Sequence, residues 1–385
     1  MKVILDFVVN HVGPNHPWIN EDKKADWFHE KKPIINWDNQ QEVENNWLFD
    51  LPDFNQDTPE TRKYLLDAAK WWIQETDVDG YRLDTVKHVP KDFWRDFSSE
   101  VKSVKDDFYL LGEVWHNDLR VVAAYEETGI DSFVDFSQNE HLRTTFSKPD
   151  QSLGWLFSSL ERNKAFFKRP ELLGNFMDNH DMTRFTRDII QNKQDIVTRW
   201  KLALTYLYTA PGIPIVYYGS EIALDGGEDP DNRRLMNFDA DNELINYLTK
   251  IGELRQQYPA LSRGELELLH EEAGMAVYKR SYLDETIIVA INNTTKSQTV
   301  ILDNKDLPLN KELTGLLEGI IVSESGGKYK IEVISESSEI FIISVKSNLN
   351  ISYFLAISVV LLAFIVIILF RFKRFLSSKR LTSSN

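Results

Sequence analysis

Short apolar segments alternate with helical segments along residues 1–261, and this alternation restricts the fold more than any other feature of the sequence. Residues 3–9 (VILDFVV) form a β-branched apolar run, typical of a strand buried on both faces of a parallel sheet. Further short strands are predicted at 80–83, 108–111, 132–136, 173–177 and 213–217. Helices are predicted near 58–73, 90–104, 151–164, 191–209 and 243–257. Strands separated by helices form βα units, so we predict an α/β domain with a parallel sheet.

Two other regions depart from this alternation. Residues 10–57 are rich in Trp, Asn, Asp and Pro and have no sustained periodicity. A segment of this length is too long for an ordinary connection, so we predict a small inserted domain that carries function. Beyond Leu261 the pattern becomes alternating strands separated by polar and glycine turns. Residues 262–347 are therefore predicted to form a compact antiparallel β domain.

The C-terminal segment 351–370 (ISYFLAISVVLLAFIVIILF) contains no charged residue. About 20 apolar residues suffice to cross the hydrocarbon core as a helix, and basic flanks such as the following RFKRF remain cytoplasmic. We predict one transmembrane helix at 351–370, a cytoplasmic basic tail at 371–385, and a cell-membrane protein whose globular part is extracellular. Such a topology needs an export signal, and the N-terminal segment, interrupted by Asp6, does not supply one. Either the topology is inverted or the start is missing.

Composition excludes several classes of function. The chain has no Cys, which rules out disulfides, zinc–thiolate sites and thiol nucleophiles. The net charge of −15 argues against a nucleic-acid partner, because phosphate contacts need a basic face. A neutral or cationic ligand is easier to accommodate.

Polar residues cluster where the predicted strands end. They are Asp6, Asn10 and His11 after the first strand, Arg82, Asp84, Lys87 and His88 after the second, Glu113 after the third, and Asn179, His180 and Asp181 after the fifth. In a βα barrel the active site lies at these strand ends. Paired carboxyl groups with nearby Trp and Tyr suit glycoside chemistry, which needs one carboxyl as acid and another as nucleophile or base.

These segments resemble a known family. The four conserved regions of the α-amylase family, glycoside hydrolase family 13, are matched in order by DFVVNH (6–11), GYRLDTVKH (80–88), GEVW (112–115) and FMDNHD (176–181). LPDFN (51–55) resembles the fifth region, and YYGSE (217–221) with DPDNRR (229–234) resembles the stretch around the last barrel strand. The resemblance covers about residues 1–345. It implies a (β/α)8 TIM barrel that here lacks its first two βα units, as a fragment or through a misassigned start, so that the chain by itself is expected to be inactive.

The resemblance also implies residue roles. Asp84 would be the nucleophile, Glu113 the general acid/base, and Asp181 the residue that binds sugar hydroxyls at the transition state. Arg82 lies two residues before Asp84, so it points to the same side of the strand and would keep the carboxylate ionised. Apolar surroundings would raise the pKa of Glu113, as an acid requires. The substrate-binding residues would be His11, Arg82, Lys87, His88, Asn179 and His180.

Calcium is the cofactor that the resemblance implies. The matching positions are Asn10, Asp53 and the backbone carbonyl of His88, and hard oxygen donors are what calcium prefers. A further ligand is expected from the inserted domain, where Asp50, Glu42 and Glu44 are equally possible. The alternative is a vestigial site bridged by hydrogen bonds alone.

The resulting hypothesis is a retaining glycoside hydrolase that cleaves internal α-1,4 bonds of starch-like glucans, with α-glucan and membrane lipid as its partners. Within the family that the chain resembles, Lys87 and His88 match the α-amylase form, which implies α-1,4 cleavage, whereas LPDFN is intermediate between the forms of α-amylases and oligo-1,6-glucosidases. Two alternatives remain open. One is a transglycosylase or α-1,6-acting glucosidase on the same fold, and the other is a non-catalytic amylase-like membrane partner. The presence of Asp84, Glu113 and Asp181 together argues against the second.

Overall fold

The computed structural model of the chain describes residues 1–309, 311–345, 361–362, 364–365 and 367–369. Its N-terminal part contains six parallel strands in the order in which they occur along the chain. These are β1 (Ile4–Phe7), β2 (Gly80–Leu83), β3 (Tyr109–Gly112), β4 (Ser132–Phe133), β5 (Gly174–Phe176) and β6 (Ile213–Ile215). All six lie within the segments where the sequence predicts strands or one residue beyond them, which confirms the parallel α/β prediction.

The six strands form a continuous arc. Strands β1 to β4 pair in sequence order, β5 pairs with β6, and a parallel bridge between Val134 and Gly174 joins the two sheets. In the part of the chain that is described, β1 and β6 each have a strand neighbour on one side only. The prediction that residues 3–9 are buried on both faces is wrong, since Ile4 is 44% exposed and β1 alternates exposed and half-buried residues. The reason is that β1 is an edge strand.

Helices follow most of these strands. They are α1 (Gln40–Asn45), α2 (Pro59–Thr76), α3 (Lys91–Val104), α4 (Leu119–Ala123), α5 (Phe136–Phe146), α6 (Gly154–Phe166), α7 (Phe185–Gln191), α8 (Ile196–Thr209), α9 (Glu243–Gln257) and α10 (Pro259–Arg263). Helices α5 and α7 were not predicted, and the helix predicted at 191–209 is α8, which begins later, at Ile196. The side chains of Phe93, Trp94 and Phe97 on α3 are fully buried against the strand residues Tyr81 and Leu110. This apolar packing fixes α3 against the back of β2 and β3.

The C-terminal domain is antiparallel, as predicted, and its described residues form eight strands. These are β7 (Glu265–Glu272), β8 (Met275–Tyr282), β9 (Glu285–Asn292), β10 (Gln298–Asp303), β11 (Lys311–Gly315), β12 (Ile321–Ser323), β13 (Lys328–Val333) and β14 (Ser337–Val345). Six of them form one sheet in the order β12-β11-β14-β9-β8-β7, and β10 pairs with β13. The buried Arg199 on α8 donates to Asn293 Oδ1 at 2.7 Å and lies 2.6 Å from Glu336 Oε2. Because both partners belong to the β domain, this arginine fastens that domain to the α/β part.

The inserted segment 10–57 consists of single helical turns and α1, and it lies over the strand ends. Its two ends are joined by backbone hydrogen bonds from Phe54 N to Asn10 O at 2.7 Å and from Val12 N to Pro52 O at 3.1 Å. These bonds place Asp53 beside the end of β1.

The predicted membrane span 351–370 lies largely outside the described residues. The residues of this segment that are described are helical with exposed apolar side chains, namely Leu361, Leu362, Phe364, Ile365, Ile367, Ile368 and Leu369. Among the helices of the described ranges, none has the length and apolar character needed to cross a membrane. The span stays a prediction.

Candidate active site

A cleft of 830 Å³ opens at the carboxyl ends of the parallel strands. Seven of the residues predicted for the site line it together, namely His11, Asp84, Lys87, His88, Glu113, His180 and Asp181. The other lining residues are Trp37, Leu48, Phe49, Leu51, Thr85, Trp115, Asp229 and Arg233. The structure therefore gathers side chains from four strand ends and from the inserted segment, as the sequence predicts.

Arg82 joins the carboxylates of Asp84 and Glu113 at the base of this cleft, and it also contacts Asp6. Its Nη1 lies 2.5 Å from Asp84 Oδ1 and 3.0 Å from Asp6 Oδ1, and its Nη2 lies 2.5 Å from Glu113 Oε1. Burial alone would lower the pKa of Arg82, but the carboxylates of Glu113, Asp6 and Asp84 raise it above its usual value. The arginine is therefore a fixed positive charge that holds both acids in place.

The pairing register of β2 and β3 explains why the two acids meet. Leu83 pairs with Gly112, and the ladder continues as Glu113 N donates to Leu83 O at 2.9 Å. Asp84 and Glu113 are thus the first residues beyond two paired strand ends. In a parallel sheet these ends lie at the same edge, so their side chains enter the same cleft.

Glu113 has the environment of a proton donor. The residue is 6% exposed, and burial raises the pKa of its carboxyl to about 7, although the Arg82 charge opposes the shift. The neighbouring Asp84 carboxylate raises that pKa further. Thr85 N donates a hydrogen bond to Glu113 Oε2 at 3.2 Å and fixes the orientation of the carboxyl group. A carboxyl group with this pKa is partly protonated at neutral pH.

Asp181 lies at the end of β5, partly exposed to the cleft. Its Oδ2 is 3.3 Å from His180 Nε2 and its Oδ1 is 3.5 Å from Arg233 Nη2. Asn179 is not among the residues that line the cleft, and its Oδ1 accepts a hydrogen bond from Asp181 N at 3.0 Å. Asn179 therefore shapes the turn that presents Asp181.

The two histidines nearest β1 and β2 are held neutral. Burial lowers the pKa of His11, and burial together with the charge of Lys87 lowers the pKa of His88 to about 4. His88 Nδ1 lies 3.1 Å from the carbonyl oxygen of Val43, to which it donates. A neutral imidazole offers one donor and one acceptor, which suits hydroxyl groups of a sugar.

Aromatic side chains form the cleft walls, and sequence reasoning identified few of them. Trp37 and Phe49 of the inserted segment have ring centroids 6.2 Å apart and are 49% and 82% exposed. Across the cleft, Trp115 is stacked on Phe136 with a centroid distance of 4.7 Å and an interplanar angle of 8°. Large amphipathic rings of this kind give apolar faces against which sugar rings can pack.

Arg233 and Asp229 are two further cleft residues that were missed as site residues. Arg233 Nε donates to His180 O at 2.9 Å and lies 3.0 Å from Asp229 Oδ1. The only sequence feature that pointed to these two residues was the DPDNRR segment (229–234) in which they lie.

Two residues of the predicted calcium site have unused oxygen atoms. Asn10 and Asp53 are fully buried, and within the described part of the chain neither Asn10 Oδ1 nor Asp53 Oδ1 has a hydrogen-bond partner. Burial raises the pKa of Asp53 to about 7, and His29, which sequence reasoning missed, lies with its Nδ1 2.7 Å from Asp53 Oδ2. Buried oxygens without partners are costly unless a cation or water satisfies them, so these two residues fit a calcium ion.

The three candidates for a further ligand differ in their surroundings. The Asp50 side chain is 81% exposed and pairs with Lys31, and the Glu42 carboxylate accepts from two backbone amides of its own loop. Glu44 accepts a hydrogen bond from Gln40 at 2.6 Å, and burial raises its pKa. Among the residues that the structure describes, no cluster of three or more Asp, Glu or His side chains is suited to a metal ion.

Family profiles match both the α/β part and the β domain of the chain. Residues 1–245 match the alpha amylase catalytic domain, and residues 264–341 match the alpha-amylase C-terminal domain. The chain therefore belongs to the α-amylase family.

Two solved structures are similar over most of the chain. An α-amylase from Anoxybacillus is 62% identical, with a TM-score of 0.89 over 91% of this chain and 77% of that one. The α-amylase of Geobacillus thermoleovorans, solved with acarbose, is 55% identical, with a TM-score of 0.88 over 90% of this chain and 78% of that one.

Curated relatives are longer. The β/α-amylase of Paenibacillus polymyxa is 33% identical over 353 residues, which are 89% of this chain and 29% of the relative. The maltogenic α-amylase of Bacillus acidopullulyticus is 30% identical over 314 residues, or 77% of this chain and 52% of the relative. The chain thus spans about half, or less, of these relatives.

Proposed function

We propose that this protein hydrolyses internal α-1,4 bonds of starch-like glucans by a retaining, two-step displacement. The observation that carries the proposal is the bridge from one guanidinium to both acids, Asp84 and Glu113, at 2.5 Å each. Because Nη1 and Nη2 belong to the same group, the two carboxyls are held close together. Retaining glycosidases place their carboxyls about 5–5.5 Å apart, whereas inverting enzymes need room for a water between them.

In the first step, Asp84 attacks the anomeric carbon and forms a glycosyl ester. The bond from that carbon to the glycosidic oxygen breaks, and Glu113 gives its proton to the departing oxygen. In the second step, the ionised Glu113 takes a proton from water, whose oxygen attacks the same carbon and releases Asp84. A pKa of about 7 lets Glu113 donate a proton in the first step and accept one in the second near neutral pH. During both steps, Asp181 and the neutral His11 bind hydroxyl groups of the sugar whose bond is cleaved.

We further propose that Asn10, Asp53 and the carbonyl of His88 hold a calcium ion. The support is the pair of buried, unpartnered oxygens on Asn10 and Asp53. Asp53 lies near the far end of the inserted segment, whereas Asn10 begins this segment just after β1 and His88 follows β2. The bound ion supplies a positive charge that ties this segment to the strand ends.

The proposal also specifies which type of glycosidic bond the protein cleaves. Relatives of this chain include cyclomaltodextrinases, maltogenic amylases and a neopullulanase. The support for α-1,4 cleavage is the position of Lys87, whose Nζ donates to Trp115 O at 2.9 Å and so lies in the cleft wall beside Glu113. The alternatives are a transglycosylase or an α-1,6-acting glucosidase.

The experiment is product analysis on three substrates. Soluble starch, pullulan and isomaltose are incubated with the protein, and products are identified by chromatography and their anomeric form by NMR. The proposal expects oligosaccharides from starch, initially as the α-anomer, and little release from isomaltose. Initial β-anomers would overturn the retaining mechanism, and preferential cleavage of isomaltose would favour the α-1,6 alternative. No release from any substrate, also when the two βα units that the family resemblance implies are supplied, would favour the non-catalytic alternative.

For location, we propose anchoring in the cell membrane through residues 351–370, with the cleft outside the cell and the C-terminus in the cytoplasm. The support is the uncharged run with its basic flank, together with the exposed apolar side chains of the helical residues described there. A polymeric substrate that cannot cross the membrane is consistent with this arrangement.

A further inference from the structure

Two loops that supply cleft residues are joined to each other beneath the cleft surface. The β5 turn, residues 177–184, carries His180 and Asp181, and the β6 loop, residues 216–234, carries Arg233. All three of these side chains line the cleft. The hydrogen bonds between the two loops come from buried side chains that do not themselves face the cleft, and they determine where the Asp181 backbone lies.

The side chain of Asn232 reaches from the β6 loop to the backbone on both sides of Asp181. Its Nδ2 donates to His180 O at 2.8 Å and to Met182 O at 3.1 Å. These carbonyl groups belong to the residues immediately before and after Asp181, so one amide group holds the backbone that presents the carboxylate. Asn232 is fully buried, and it therefore acts on Asp181 without touching a sugar.

Arg184 joins the same two loops in the opposite direction, from the β5 turn to the β6 loop. This arginine is fully buried, and its Nε donates to Asn232 O and its Nη1 to Tyr218 O, each at 2.8 Å. The guanidinium carbon lies 4.2 Å from the centroid of the Tyr217 ring, and Arg184 N donates to Gly226 O at 3.0 Å. A shift of either loop would leave buried donors without partners, which is costly.

The carboxylate of Asp181, by contrast, is held loosely by its neighbours. Its oxygens lie 3.3 Å from His180 Nε2 and 3.5 Å from Arg233 Nη2, at or beyond the usual range of a hydrogen bond. The bonds to the adjacent backbone carbonyls are shorter. The position of this carboxylate in the cleft therefore follows mainly from its backbone, which Asn232 fixes.

We propose that Asn232 is a positioning residue for Asp181, which it holds where the carboxylate meets the sugar hydroxyls at the transition state. The proposal rests on the proposed function, in which Asp181 binds those hydroxyls. An interaction that is strongest at the transition state contributes to kcat rather than to KM. Loss of the two Asn232 bonds therefore lowers kcat, and a displacement of about 1 Å costs about 10²-fold in rate.

The test removes the two hydrogen bonds without changing the cleft lining. Asn232→Leu keeps the size of the side chain and has no donor, and Asn232→Ser is the milder variant should the first fail to fold. The same replacement at an exposed position just beyond the β6 loop, Asn237→Leu, is the matched control. Each change is made in the full chain with Asp181 and again with Asp181→Asn. Starch hydrolysis, acarbose binding by calorimetry and thermal melting are measured.

With Asp181 present, Asn232→Leu should lower kcat about 10- to 100-fold and change KM by less than about 2-fold. The Kd of acarbose should rise about 3- to 30-fold. In the Asp181→Asn background the same replacement should leave the Kd of acarbose unchanged, because Asn232 acts through that carboxylate. Asn237→Leu should match its parent protein in both backgrounds.

Equal rises in the Kd of acarbose in both backgrounds would show that Asn232 serves the fold alone, and a wild-type kcat in both Asn232 variants would equally overturn the positioning role. Either result leaves the proposed function intact.

If wild type does not hydrolyse starch, also with the two implied βα units supplied, the proposed function fails instead. The positioning role is then decided by hydrogen exchange of the β5 turn, where Asp181 N donates to Asn179 Oδ1 at 3.0 Å. Exchange in this turn must be faster in Asn232→Leu than in Asn237→Leu, because the backbone there has lost its two bonds to the β6 loop. Equal exchange in the two variants would reject the role.

Discussion

The raised pKa of Glu113 predicts that one carboxyl controls both the pH dependence of the reaction and part of the pH dependence of stability. The perturbation is Glu113→Gln, because glutamine has the shape of the protonated acid and cannot ionise. The difference between wild type and this variant, followed against pH, therefore isolates the titration of Glu113. Groups that do not contact Glu113, including the buried Asp53, contribute equally to both proteins, whereas the titration of the neighbouring Asp84 is part of the difference.

The size of the expected change in unfolding free energy follows from the environment of the Glu113 carboxyl. Its pKa is about 7 in the folded protein against a reference of 4.5, since burial outweighs the attraction of Arg82. Between these two pH values the unfolded chain has released the proton and the folded chain retains it, so the free energy of unfolding falls as pH rises. The contribution is about 3 kcal/mol, fully present below pH 4.5 and lost above pH 7. Glu113→Gln should escape this loss.

The assay is urea unfolding of both proteins at pH 4.5, 6, 7 and 8, alongside kcat/KM on soluble starch. From pH 4.5 to pH 8, the free energy of unfolding of Glu113→Gln should rise by about 3 kcal/mol relative to that of wild type. The activity of this variant should be about 10²–10⁴-fold lower than that of wild type. In wild type, kcat/KM should decline above pH 7. The exposed Glu253→Gln on α9 is the control and should follow wild type in both measurements. A difference in unfolding free energy that stays constant across this pH range would refute the reasoning.

Three further predictions concern the nucleophile, the metal and the location. Asp84→Asn should nearly abolish starch hydrolysis while leaving the circular dichroism spectrum unchanged, and turnover close to wild type would remove Asp84 from the mechanism. Chelation should lower the melting temperature and added calcium restore it, because a ligand bound only to the folded state stabilises it, and Asp53→Asn should lose this response. An identical melting curve at saturating chelator would eliminate calcium. Protease added to intact cells should remove the globular part and protect the basic tail, and the reverse pattern would invert the topology.

Sequence reasoning was most successful where polar motifs directly follow apolar strands. The strand ends before Asp84, Glu113 and Asp181 could be located because, at each of them, an apolar run leads into a recognisable polar motif. What could not be derived from the residues was the contact of Arg82 with both acids. That contact depends on the register of β2 against β3, which no local pattern encodes.

Segments in which apolar residues do not recur at a regular spacing were harder to predict. The cleft aromatics Trp37 and Phe49 lie in a segment of irregular turns, where side-chain direction follows from tertiary packing rather than from periodicity. Strand β7 (ELELLHEE) was missed because it lies at the sheet edge and most of its residues are exposed or half-buried glutamates and leucines. Conversely, the burial of residues 3–9 was overestimated, since a β-branched run does not reveal whether a neighbour is present on both sides.

The position of β14 in its sheet determines how the protein would respond to mechanical force. This strand is hydrogen-bonded to β11 on one side and to β9 on the other, and the chain continues from its end towards the C-terminal segment. Bonds between antiparallel strands run perpendicular to the strand direction, so tension along β14 loads both ladders in shear rather than opening them one bond at a time. A chain held at its C-terminus would therefore transmit a pull into a central strand of the domain's main sheet, and through Arg199 into α8, before the cleft itself were strained.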